Sequence, residues 1–234
     1  MRHVSCVALR EGGDLWTQMS PGSDVSEPGH HNFMKFALGT KQNMTQIFDE
    51  KGIAHAVTVI AVTPMSVTQV KTSEKDGYTA VQIGGGAKKE SKMNKAQKPK
   101  GNFARFKEFR MDDTSAHTVG QTLDVSAFEV GETIQVVGIT KSKGFQGVVK
   151  RHGFHGGRRT HGQKHSEREP GSIGGAGRSG GRVVLGMRMA GRMGGDRVTV
   201  KNLKVMQIDA TNGFILVSGA VPGRRGTPVE IVSA

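Results

Sequence analysis

A chain of 234 residues carrying 33 Lys and Arg against 20 Asp and Glu has a net charge of +13 and a pI near 10.1. That balance points to a nucleic-acid or anionic-membrane partner, and no apolar run approaches the roughly 18 residues that would cross a bilayer. A single cysteine, Cys6, excludes an internal disulfide framework and a Cys-rich zinc site, and 5% aromatics is too few for a protein that reads single strands mainly by stacking.

The first 33 residues differ from the rest. They hold two basic and four acidic residues, a local charge of −2, so residues 34–234 carry +15. They also contain the single Cys6 and the single Trp16. The segment has no apolar core of a secretory signal, and an organelle transit peptide is Arg-rich and acid-poor. It reads as a disordered tail or as sequence upstream of the true start. Mass spectrometry of the native protein should therefore find an N-terminus at or near Met34; Cys6 and Trp16 in most native copies would refute this.

From Met34 the pattern turns to strands. His55–Val62 (HAVTVIAV) and Val67–Thr72 (VTQVKT) alternate β-branched with other residues, and Thr63-Pro64 breaks between them. Asp76-Gly77 introduces a further strand, Tyr78–Ile83 (YTAVQI). Residues 87–107 are basic and nearly lack β-branched side chains, which predicts a short helix plus loop. Strands are expected again at Phe106–Met111, Thr133–Thr140 and Arg197–Asp209; Asn212-Gly213 then forms a hairpin turn before Phe214–Ser218. Many short strands with little helix predict a mainly β fold, a barrel or sandwich.

Residues 141–196 interrupt that pattern, and a loop so long inside a compact domain is normally functional or disordered. Positions 141–200 hold sixteen Gly, thirteen Lys or Arg and three acids, Glu167, Glu169 and Asp196. So few apolar groups cannot offset an ordering cost of roughly 1–2 kcal/mol per residue; the excursion should be mobile until a polyanion supplies countercharge and surface. Glycine lets a backbone press against phosphates. Lys141–Arg151 (KSKGFQGVVKR) suits a bent phosphate backbone. The bland alternative, a solvated basic face, fits Gly144 and Gly147 poorly because glycine is an odd choice for an exposed helix.

Other motifs in the excursion yield to simpler readings. His152, His155, His161 and His165 lie among Gly and Arg, where cationic charge opposes a metal ion; RNA contact or solvation suits them better. Gly175–Gly180 (GAGRSG) fits a dinucleotide pattern, but Glu169-Pro170-Gly171-Ser172 before it is no buried strand. Met187, Met189 and Met193, set between Arg188 and Arg192, are expected to pack where the excursion rejoins the barrel or at an RNA rim. No P-loop, nucleophile elbow or carboxylate pair appears, so neither catalysis nor a cofactor or metal is expected.

Several collinear segments carry a resemblance. Lys35–Phe48 (KFALGTKQNMTQIF), Val57–Ile60 (VTVI), Val67–Lys71 (VTQVK), Lys143–Arg151 (KGFQGVVKR) and Pro170–Gly174 (PGSIG) follow one another. Met189–Val200 (MAGRMGGDRVTV), Asn202–Lys204 (NLK) and Gly219–Gly223 (GAVPG) come next. In that order and spacing, residues 34–234 resemble the universal L-three family of the large ribosomal subunit, in its bacterial form. The resemblance implies a translation-protein-type β-barrel over residues 34–140 and 197–234, with a short helical insertion near 87–107 and a Gly-rich basic extension over 141–196.

It further implies a cytoplasmic ribosomal protein that binds 23S-type rRNA early in assembly, near the RNA's 3′ region. The extension would run toward the peptidyl transferase centre, and large-subunit proteins fourteen and nineteen would be neighbours; no homo-oligomer or membrane contact is expected. The rRNA contacts expected are Lys141, Lys143, Gly144, Gly147, Lys150, Arg151, His152, Arg158, Arg159, His161, Lys164, Arg168, Arg178, Arg182, Arg188, Arg192 and Arg197. Gln135 and Ser142 depart from the family's usual residues without loss of a cation. Glu167 and Glu169 are odder, since phosphates repel them unless they pair with Arg168 or a neighbouring Arg, or face protein. Some bacterial members carry a methylated Gln near positions 177 and 178; none stands here, so that modification is not expected. A free RNA chaperone with a Gly/Arg-rich arm is the competing reading, which the β-rich flanks disfavour.

Overall fold

The computed structural model describes residues 34–175 and 180–233; the expectations for residues 1–33 and for Arg178 lie outside them. β-Branched side chains at alternate positions give each strand one face that water disfavours, and strands so patterned close on one another. In chain order the strands begin with β1 (Phe36–Phe48), β2 (Ala54–Val62), β3 (Met65–Lys71), β4 (Ala80–Ala87), β5 (Phe103–Arg110) and β6 (Thr122–Leu123). They continue with β7 (Thr133–Ile139), β8 (Phe145–Gln146), β9 (Gly191–Arg192), β10 (Arg197–Asp209), β11 (Phe214–Ser218) and β12 (Pro228–Ser233).

Six of them form a closed antiparallel barrel in the order β1-β12-β7-β10-β11-β2, which leaves no unpaired barrel edge. The interior is filled by Ile60 of β2, Ile134 and Val136 of β7, Val205, Ile215, Val217 and Ile231, all fully buried. Each such side chain contributes on the order of 1.5–3 kcal/mol relative to exposure. Thr58, buried among them, satisfies its hydroxyl by donating to the Gly219 carbonyl at 2.7 Å. Asn202 takes φ 58° where the β10–β7 register slips between Val200 and Leu203. Asn tolerates the left-handed region that a β-branched residue resists.

The mainly β, barrel-centred fold agrees with the sequence, and the structure adds a second sheet. β3–β6 pair among themselves in the order β5-β4-β3-β6. Met65, Val67, Val81, Ile83 and Phe109 of this sheet are buried in the same apolar cluster as the barrel residues. Phe109 stacks on Phe36 of β1 with ring centroids 4.6 Å apart. Periodicity marks a strand's buried face and carries no information about which sheet that face joins.

Two local expectations shift. The turn before β4 contains one helical turn, α1 (Ser73–Asp76), ended by Gly77 at φ 78°, and β4 starts at Ala80 rather than Tyr78. Tyr78 is used across the sheet instead: its hydroxyl donates to Glu108 and accepts from Lys71. The helical insertion near 87–107 takes the form of two 3₁₀ turns, Glu90–Lys92 and Lys98–Lys100, and β5 already begins at Phe103. Pro99 lies in the second turn, where it removes an amide donor that a longer helix would use.

Candidate nucleic-acid interface

The excursion leaves the barrel at the end of β7 and returns at the start of β10, whose Arg197 pairs with Ile139. Beyond that pair the two limbs stay hydrogen-bonded. The Thr140 amide donates to the Asp196 carbonyl at 2.9 Å, and the Asp196 amide donates to Thr140 Oγ1 at 3.2 Å. The Lys143 amide donates to the Met193 carbonyl and the Met193 amide to the Gly144 carbonyl, both at 2.9 Å. β8 and β9 then pair Phe145 with Arg192 and Gln146 with Gly191. A ribbon stalk therefore extends the barrel, where the sequence suggests a wholly mobile loop.

The stalk carries α2 (Val148–His152), which ends at Gly153 with φ 73°. Val148 is buried and anchors one side. Lys150, Arg151 and His152 form its last turn, where cations complement the carbonyl end of the helix. Arg151 Nη1 donates to the Met189 carbonyl at 2.7 Å, and His152 Nε2 lies 3.0 Å from the same oxygen. A carbonyl only accepts, so His152 carries its proton on Nε2 there. These two bonds latch α2 to the returning limb.

Between the limbs lies a cleft of about 600 Å³ lined by Thr140, Lys141, Lys143, Arg151, His152, Arg192, Met193, Gly194 and Asp196. Four permanent cations face one carboxylate, so the cleft favours an anion. The spacing suits successive phosphates of a backbone more than a compact ligand, because the cations lie along both limbs and the cleft is open.

Of the expected contact residues that the structure describes, Arg151 and His152 are half-buried and all others are exposed. The stalk gathers Lys141, Lys143, Gly144, Gly147, Lys150, Arg151, His152 and Arg192. Farther out, Arg159 Nε bonds Glu167 Oε1 at 2.6 Å, and the Gly157 amide donates to the Glu167 carbonyl at 2.8 Å. Glu167 thus closes a small loop that presents Arg158, His161, Lys164 and Arg168, which accounts for an acid inside a basic arm. Arg182 and Arg188 flank Val183, Val184 and the fully exposed Leu185. Arg197 is a different case: Nη2 bonds Glu230 Oε2 at 2.8 Å, and Glu230 also takes Lys107 at 2.7 Å, so its charge is matched on the barrel. Met189 and Met193 are half-buried at the stalk while Met187 is exposed. Sequence reasoning missed the ladder itself; Gly194-Gly195 opposite Lys141 was its signal.

Amide exchange on the free protein should reflect this division. Lys143 and Met193 are expected to be protected, while Arg158, Arg159, Lys164 and Arg182 exchange rapidly, since they lack bonds of the ladder. Equal protection across 158–188 would contradict the division.

The profile described as ribosomal protein L3 matches residues 78–217, which run from before β4 into β11 and include the whole arm. The chain belongs to the ribosomal protein L3 family. Similar proteins named large ribosomal subunit protein uL3 include that of Herpetosiphon aurantiacus, 52% identical over 202 residues, covering 84% of this chain and 95% of the relative. The uL3 protein of Nocardia farcinica is 48% identical over 205 residues, covering 84% and 91%; that of Rhodococcus erythropolis is 49% identical over 209 residues, covering 86% and 94%. Within this L3-family chain, no helix among the described residues is long and apolar enough to cross a membrane.

Proposed function

We propose that the chain is a structural component of the large ribosomal subunit that binds rRNA, with residues 141–196 as its principal contact and no catalytic step of its own. The observation that carries this reading is the stalk cleft, where Lys141, Lys143, Arg151 and Arg192 face the single carboxylate of Asp196. Family membership supports the address, and the arm's chemistry supports the ligand. Phosphates replace the countercharge that the arm lacks and release condensed cations as they bind. The glycines at 144 and 147 leave the backbone open to close approach.

Within this reading the protein helps initiate large-subunit assembly, and its arm tip points toward the peptidyl transferase centre of a cytoplasmic ribosome. Large-subunit proteins fourteen and nineteen are its neighbours. The fixed ribbon root favours a placed arm over a free chaperone's disordered one. Sucrose-gradient fractionation of a lysate tests this. The protein should co-migrate with large subunits through a high-salt wash; recovery in the soluble fractions would favour the chaperone.

A further inference from the structure

Several cations of the barrel and second sheet are paired with an acid. Lys35 bonds Glu129 and Glu132, Lys71 bonds Glu108, and Lys107 and Arg197 share Glu230. The barrel end beside the arm root gathers cations that are not. Lys41 of β1, Lys141 at the arm root, and Arg224 and Arg225 in the loop before β12 have no carboxylate within ion-pair distance among the described residues.

That loop is rigidly placed. Pro222 packs so close to β7 that a Cβ at Gly138 would lie 2.9 Å from its Cγ, and a Cβ at Gly223 would lie 3.0 Å from the Ile139 carbonyl. The Lys41 amide donates to the Thr227 carbonyl at 2.9 Å and the Gly226 amide donates to the Lys41 carbonyl at 2.8 Å. The Lys41 ammonium donates to the carbonyls of Val221 at 2.6 Å and Gly223 at 3.1 Å. Arg224 and Thr227 close the tip, the Arg224 amide donating to Thr227 Oγ1 at 3.1 Å and the Thr227 amide to the Arg224 carbonyl at 3.1 Å. Both arginine side chains are left exposed on this turn. Burial, and then the charge of Lys141, hold the Lys41 ammonium below its ordinary pKa, so the arm root and the loop share one positive field.

We infer that this barrel end, carrying Lys41, Lys141, Arg224 and Arg225, is a second phosphate-contact surface that takes an RNA backbone leaving the stalk cleft. Lys141 belongs to both surfaces, which makes them one track from arm to barrel. A fixed turn presents its two guanidinium groups with little further loss of freedom on binding, and like charges held together without an acid gain most from a polyanion. The surface rests on the proposed rRNA-binding function and extends it to residues outside the arm.

The test is filter binding of the full chain to protein-free 23S-type rRNA over a salt series. R224Q/R225Q should flatten the log–log salt slope by about 1.4–1.8, at 0.7–0.9 per lost contact, while R224K/R225K keeps the wild-type slope. Thermal melting of both should match wild type, because the replaced groups are exposed and unpaired. An unchanged slope in R224Q/R225Q, with arm variants still flattened, overturns the second surface and leaves the function standing. The same result with weakened subunit incorporation would assign the turn to a protein neighbour and also overturn the inference. Absence of any rRNA affinity in the wild type overturns both.

Discussion

Replacing Lys143 and Lys150 with alanine should flatten the log–log salt dependence of rRNA binding by about 1.4–1.8. Both side chains are exposed on the stalk and neither has an ion-pair partner among the described residues, so their charge is available to phosphate. If affinity at about 1 M salt is unchanged, that slope corresponds to about a hundredfold loss at about 50 mM salt. Barrel melting should stay put, since exposed cations contribute little to folding, about 0–1 kcal/mol each. Adding Arg151→Ala removes a further cation and also the bond from Nη1 to the Met189 carbonyl. The triple variant should therefore flatten the slope by about 2–3 and also lose amide protection at the stalk. Filter binding and amide exchange read the two effects separately. A triple variant with the wild-type slope would show that these residues do not meet phosphate.

The sequence made the barrel strands legible where apolar alternation was strong. Val57, Ile60, Ile215 and Val217 are all buried in the places their pattern indicated. The second sheet was hidden because Val67, Val81 and Ile83 carry the same alternation as barrel strands, and pairing partners are set by tertiary contacts. At the interface, composition identified the arm's charge but not its latch. Arg151 and Arg192 look alike in sequence, and only the fold holds the first against Met189. Arg224 and Arg225 carry no signal in the sequence, because they are a single pair in a turn far along the chain from the arm. Their significance comes from packing at Gly138 and Gly223, which brings that turn to the arm root.

Three glycines that sequence alone treats alike should separate on substitution by alanine. Gly194 has φ +74°, and a Cβ there would lie 2.2 Å from the Lys141 carbonyl oxygen, a backbone atom. The left-handed conformation costs roughly 1–2 kcal/mol for an L side chain, and the clash requires the limbs to part as well. Gly194→Ala should therefore abolish protection at Lys143 and Met193 while the barrel core stays protected. Gly144 has φ +67° with no atom within 4 Å of the place a Cβ would take, so its replacement carries the conformational cost alone.

Gly147 differs from both: its φ is −70° and no atom lies within 4 Å of an added Cβ. Gly147 is the N-cap of α2, where alanine is poorer than glycine, so the gain of about 0.4–1 kcal/mol through the unfolded chain is offset and Gly147→Ala should leave stability near wild type. If the stalk backbone approaches a phosphate at this position, the same methyl group holds the RNA off. Losing one charge-assisted bond of about 1.5–3 kcal/mol then weakens rRNA binding by about ten- to a hundredfold. A melt no lower than wild type together with that loss identifies Gly147 as a contact. Wild-type affinity in a stable Gly147→Ala protein would remove it from the interface and leave Lys143 and Lys150 to carry the stalk's share of binding.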